Sequence, residues 1–214
     1  MFREGQSVNS GTTEEHKLSR HRLEALFDGT LAIVMTLMIL DLKIPEDTVI
    51  HDTASFLQVI GEMHVTFIKY LISFFVLASV WVSNNYEFYY VEYTDKRHLW
   101  LSLTGLFFIV LIPFTTSLQD DFSGILLAEI IFHTNMFFIQ FFLFLRWKHL
   151  IRHQNLLSRE KTTPEILQDQ IRIVRFKMLI PLIGILLTFI SYDYSNLIYL
   201  TYIFLRDKQT GNKG

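Results

Sequence analysis

The sequence predicts an all-α integral membrane protein with six transmembrane helices, and three observations predict it. Half of the 214 residues are hydrophobic and 15% are aromatic, with 20 phenylalanines among them. These residues are strung into blocks that approach or reach the roughly 20 positions a helix needs to cross a bilayer, whereas a soluble chain seldom gathers its apolar residues this way. The lysines and arginines, finally, fall almost entirely into alternate connections between the blocks.

The first predicted span runs from about Arg22 to Ile44 and is stopped by Pro45. The second covers about Thr66 to Tyr90, joined by an amphipathic lead-in from Thr53. The third runs from about Leu99 to Leu118, the fourth from Gly124 to Trp147 and the fifth from Ile171 to Ile190. The sixth, from about Tyr194 to Leu205, is the shortest. The polar first 20 residues have no apolar h-region, so no cleaved signal peptide is expected and the first span itself directs insertion.

With the N-terminus inside, 17 of the 19 lysines and arginines lie on the inner side, leaving Lys43 outside and Lys69 near the start of the second span. That asymmetry orients six spans with both termini cytoplasmic. The outer connections carry Glu46, Asp47, Asp52, Asp120, Asp121 and Asp193. Carboxylates at an external mouth raise the local cation concentration, but outer loops also tolerate acids without consequence. The one sizeable soluble connection, residues 148 to 170, reads as helical, with Thr163-Pro164-Glu165 as a helix start. It is too small for a catalytic or nucleotide-binding domain, so function is expected within the membrane. The domains are then a cytoplasmic segment 1–21, a membrane domain 22–206 and a cytoplasmic tail 207–214. With no cysteine in the chain, disulfides, thiolate metal sites and cysteine catalysis are excluded.

The first span carries Arg22, Glu24 and Asp28 at its entrance and Asp41 at its far end. Ile33, Leu37 and Leu40 fall at i, i+4 and i+7, on one stripe, with Gly29 one turn before and Thr36 beside it. Ionisable groups in a span face protein or water. Two readings follow. Either Arg22 pairs with Asp28 at the interface and the stripe is ordinary packing, or several copies of this helix surround a pore. Periodicity alone favours packing.

The stretch Arg22-Leu-Glu-Ala-Leu26-Phe27-Asp28-Gly29 resembles the R-x-x-x-F-S-D-G signature of the transmembrane protein 175 family of potassium channels. The "TLAIVMTLMILDLKIP" that follows it is similar to the family's first helix. "YLISFFVLASVWVSNN" resembles the family's second span, which ends in tryptophan followed by two histidines, and "LIPFTTSL" its proline-phenylalanine turn in the third. The departures are Leu26 and Phe27 for the motif's phenylalanine and serine, and Asn84-Asn85 where the histidine pair is expected after Trp81. Asparagine donates and accepts hydrogen bonds but cannot be protonated like histidine.

The resemblance implies a homotetrameric potassium channel of the cell membrane, with the first helix lining a central pore. It maps Ile33, Leu37 and Leu40 onto an apolar constriction and Thr36 onto a selectivity layer. Arg22, Asp28, Gly29, Trp81 and Asn84 become a structural network, with Asp41 at the outer mouth. It implies K⁺ as the permeant ion, membrane lipids and further copies of the chain as partners, and neither cofactor, resident metal nor nucleic acid. The filter sequence TVGYG is absent, so only modest preference for potassium over sodium is expected.

Other signals are weaker. His149 and His153 have the spacing of a helical zinc pair but sit amid cations, which favours a basic face toward anionic lipid. Glu129, His133 and Asn135 mark helix contacts or a proton path. Lys69 is expected to snorkel or to pair with Glu62, and Trp147, Tyr192 and Tyr194 to sit at the interface. Among other classes, a secondary transporter would want paired halves and broken helices, and no internal repeat is visible. An enzyme is not expected, since H-E-x-x-H, G-x-S-x-G and Gly-rich phosphate loops are all absent.

Overall fold

The computed structural model describes residues 18–42, 50–192 and 195–204, with only the backbone of Leu18, Ser19, Asp41, Val65, Ile203 and Phe204. Helix α1 (Arg20–Leu37) continues into a 3-10 turn, Met38–Asp41. Helix α2 (Thr53–Glu62) starts on an Asp52 cap whose carboxylate accepts from the Ser55 N–H at 2.8 Å. A break at Met63 separates it from α3 (His64–Tyr90), where the sequence predicts only a lead-in joined to the span.

The third predicted span is two helices, α4 (Lys96–Val110) and α5 (Ile112–Asp121). Pro113 has no N–H to offer the Ile109 carbonyl, so the helix breaks at Leu111, one residue before α5 begins. α6 (Leu126–Arg152) is the fourth span, extended by five residues into the connection beyond Trp147. α7 (Pro164–Thr188) opens as read from the sequence, with Pro164 in the first turn and the Thr163 hydroxyl accepting from the Ile166 N–H. Chain reversal between α3 and α4 is pinned by an antiparallel pairing of β1 (Leu18–Ser19) with β2 (Tyr93–Thr94).

Among the described residues, four helical stretches are long and apolar enough to cross a membrane: Arg20–Leu40, Thr66–Tyr90, Lys96–Asp121 and Leu126–Arg152. The last two predicted spans differ from expectation. α7 has the length, but Arg172, Arg175 and Lys177 fall within its apolar stretch and remove it from that set. The sixth is a 3-10 helix, Ser195–Leu200, and a single turn, α8 (Thr201–Phe204). At rises of about 2.0 and 1.5 Å per residue, the described residues of this segment cover only part of the roughly 30 Å hydrocarbon core.

α6 and α7 form the most extensive helix pair, and α1 lies against α3 and α4. The main core gathers Leu23, Phe27, Leu31, Val34 and Met38 of α1 and its 3-10 turn with Ile72, Leu77 and Phe88 of α3, among others. In hydrocarbon such packing is held by close van der Waals fit and interhelical hydrogen bonds rather than by escape from water. Gly184 shows the fit: a Cβ there would lie 2.6 Å from the His133 ring, so α6 and α7 meet closely only because the side chain is missing.

Several polar residues take partners other than those expected. Lys69 lies 3.4 Å from Asp120, not against Glu62, which accepts from Gln58 instead. Trp147 is buried against Tyr90, and His149 is buried with Nε2 2.7 Å from Asp95 rather than facing lipid. Tyr194 lies outside the described residues. Glu129, His133 and Asn135 are helix contacts, to Ser195, to Tyr199 and Ser195, and to Thr115 respectively.

Candidate functional site

The site under test is the face of α1. Leu23, Phe27, Leu31, Val34 and Met38 repeat every three or four residues and are all buried, Leu31 completely. The opposite face is uncovered: Ile33 is 60% exposed, Leu40 59% and Leu37 45%, with Thr36, Leu26, Gly29 and Arg22 exposed beside them. The chain's own fold therefore uses one side of the helix and leaves the predicted stripe free. Gly29 has no packing reason among the described residues, since a Cβ there meets none of their atoms within 4 Å.

Thr36 donates its hydroxyl to the Ile33 carbonyl of its own helix at 2.8 Å. Its proton is thereby committed, and its oxygen lone pairs are left for a donor or a cation. Asp28 is held across to α3, where the Trp81 indole N–H donates to its carboxylate at 2.9 Å. Arg22 lies about three turns before Ile33 on the uncovered face and makes no polar contact among the described residues. Arg20 bridges instead, donating to the carbonyls of Phe88 and Val91 at the end of α3. The Asp41 side chain lies outside what the structure describes.

Asn84 joins a polar cluster that sequence reading missed. Its carbonyl oxygen accepts from Arg146 Nη1 at 2.8 Å, while its amide donates to the Val80 carbonyl. Arg146 also donates from Nε to Glu87 at 2.8 Å, and its Nη2 lies 2.7 Å from the same oxygen. His98 Nε2 lies 2.9 Å from that carboxylate as well. Glu87 and His98 are fully buried and Arg146 nearly so. The Arg146 guanidinium lies 4.9 Å over the Phe27 ring and 5.6 Å over Phe88. The aromatic ring that replaces the motif serine thus ties α1 to the cluster by a cation–π contact. The available signal was Glu87 and Arg146 themselves, ionisable groups in the end turns of apolar helices.

Below this cluster Lys177 of α7 donates to the Ser83 hydroxyl at 2.7 Å, and the Tyr202 hydroxyl donates to the Lys177 carbonyl at 3.0 Å. At the connection between α3 and α4, Asp95 caps α4 by accepting from the His98 N–H at 2.7 Å. Burial pushes its carboxyl up, but that N–H and His149 outweigh burial and hold it below the usual carboxylate range. Among the described residues no group of three or more histidine, aspartate or glutamate side chains can hold a metal ion.

Residues 22–113 match the model of the family described as endosomal/lysosomal potassium channel TMEM175. A potassium channel of Streptomyces collinus is 30% identical over 101 residues, 47% of this chain and 48% of that protein, so the chain spans about half the length of this relative. A potassium channel of Chamaesiphon minutus is 27% identical over 184 residues, 79% of this chain and 84% of the relative. The crystal structure of a lysosomal potassium-selective channel TMEM175 homolog from Chamaesiphon minutus has the same fold. It superposes with a TM-score of 0.72 over 86% of this chain and 95% of that one, at 22% identity.

Proposed function

We propose that the chain, whose residues 22–113 match the transmembrane protein 175 family, is a potassium-preferring cation channel of the cell membrane. In this reading four copies assemble with their first helices around a central pore. Residues 22–206 form the channel domain, and both termini are cytoplasmic.

One observation carries the reading: α1 buries one face in its own protomer and leaves uncovered the face that holds Ile33, Thr36, Leu37 and Leu40. Arg22 and Thr36 on that face suit a water-filled or protein-lined space better than lipid, because polar groups in hydrocarbon seek partners or water. Repeated around an axis, Ile33, Leu37 and Leu40 make rings of branched apolar side chains that exclude ions by dewetting and open when the helices shift. Thr36, its proton committed to its own helix, offers one oxygen per copy to a partly dehydrated cation. Side-chain oxygens on four helices are a looser cage than stacked backbone carbonyls, so preference for potassium is modest. Asp41 adds negative charge at the outer mouth and concentrates cations there. Asp28, Trp81 and Asn84 fix the inner end of the helix, and Gly29 leaves room for close approach of neighbouring copies.

Bilayer recording of purified protein under opposed potassium and sodium gradients tests this. The expected result is unitary current steps with a reversal potential displaced toward that of potassium. Ile33→Asn should raise unitary conductance by wetting the constriction, and unchanged currents would remove Ile33 from that role. Slow, saturable tracer flux without unitary steps would select a carrier instead.

A further inference from the structure

The basic end of the α6–α7 pair holds a cavity that the channel reading does not use. It is open on one side and offers about 370 Å³, within the range of roughly 300 to 1,000 Å³ common for small-molecule sites. Two helical stripes line it at matched spacing: Phe144, Lys148 and Arg152 on α6, and Leu167, Ile171 and Arg175 on α7, each at i, i+4 and i+8. No carboxylate is among the lining residues.

Lys148, Arg152 and Arg175 are exposed at its mouth, and none of them makes an ion pair among the described residues. Their contact in the cavity is with an aromatic face: the Lys148 ammonium and the Arg175 guanidinium each lie 5.9 Å from the Phe144 ring centre. Arg175 sits about three turns into α7, level with Phe144, while Arg152 ends α6. The cations therefore line the mouth beside an apolar floor.

Three like charges converging on an apolar cavity call for a ligand with both an anionic and an apolar part. A bare anion leaves Phe144, Leu167 and Ile171 uncovered, and a zwitterionic lipid leaves the net charge uncompensated. We propose that this cavity binds an anionic phospholipid, its phosphate held by Lys148, Arg152 and Arg175 and an acyl chain laid along Phe144, Leu167 and Ile171. The proposal rests on the membrane-embedded fold and not on ion conduction, so a chain that binds this lipid and passes no current would refute the channel reading alone.

The test uses the purified full-length chain in neutral detergent. Native mass spectrometry counts retained phosphatidylglycerol against phosphatidylcholine, and thermal unfolding is followed with either lipid or with inorganic phosphate. The expected result is selective retention of, and stabilisation by, phosphatidylglycerol. The triple variant Lys148→Gln, Arg152→Gln, Arg175→Gln should weaken that binding on the order of a hundredfold, from the usual contribution of each basic residue toward anionic lipid. Ile171→Trp keeps every charge but fills the cavity, and it should lose the retained lipid. Arg159→Gln with Lys161→Gln, outside the cavity, should change nothing.

Equal stabilisation by inorganic phosphate would reduce the site to a bare anion site and overturn the proposal. Equal retention of phosphatidylcholine would reduce it to an unselective apolar groove. Undiminished phosphatidylglycerol binding by Ile171→Trp would place the lipid on the basic surface outside the cavity and overturn it equally.

Discussion

Replacing Arg146 by methionine should be among the most damaging single changes in the chain, while the double replacement with Glu87→Met should restore much of the loss. The structure sets the magnitude. Arg146 gives Glu87 a hydrogen bond at 2.8 Å and a second contact at 2.7 Å, and gives Asn84 a third at 2.8 Å. Glu87 is completely buried, so without Arg146 its charge keeps only His98, at 2.9 Å. Breaking a buried pair from one side costs about 3 to 5 kcal/mol, because the surviving charge cannot regain its hydration. Taking out both charges removes that penalty, since paired ions in low dielectric yield little net stability over apolar packing. Phe27 and Phe88, which now face the guanidinium at 4.9 and 5.6 Å, would pack against the methionine instead. The assay is a double-mutant cycle on detergent-induced unfolding, followed by helical circular dichroism. A coupling energy of about 2 kcal/mol or more between the two sites is expected. Equal destabilisation by the single and double variants would refute the reasoning, because the cost would then come from lost volume and not from an orphaned carboxylate.

Gly184→Ala should destabilise the α6–α7 pair by about 1 to 3 kcal/mol, the usual cost of overpacking, since its Cβ would meet His133 at 2.6 Å; a thermal midpoint matching the parent would show that the His133 ring gives way. Trp81→Phe keeps the ring and removes the donor to Asp28, and should cost about 1 kcal/mol in the same assay. Asp95 has a carboxyl below its ordinary value of 3.8. Its stabilisation is therefore fully present above that value and is lost as pH falls through its lower folded-state value. Asp95→Asn should flatten the acid limb of the stability profile below about pH 4, and an unaltered limb would assign it to other carboxylates.

Much of the fold was legible because membrane helices carry their period and their boundaries in the sequence. The α1 stripe, the lead-in from Thr53 and the Thr163-Pro164 start depend on residues within a few positions of each other, whereas the third span reads as continuous in the sequence and breaks at Leu111 before Pro113. The end of the chain departs from one continuous helix for a local reason as well. Tyr194 to Leu205 is apolar enough to read as a span, but what the structure describes of it is a 3-10 helix and one α turn tucked against α7 and α3.

What the sequence by itself determined was helix position and which residues share a face: Ile33, Leu37 and Leu40 on one side of α1, Leu23, Phe27, Leu31 and Val34 on the other. Which face the protomer covers, and which partner each polar group finds, only the tertiary structure decided. Arg146 meets Glu87 59 residues away and Lys69 meets Asp120 51 residues away, while Arg20 and not Arg22 bridges to α3. One residue turns a side chain about 100° around a helix axis. Pairings between helices therefore depend on how each helix is rotated against its neighbours, and that rotation is fixed by the packing of all of them together.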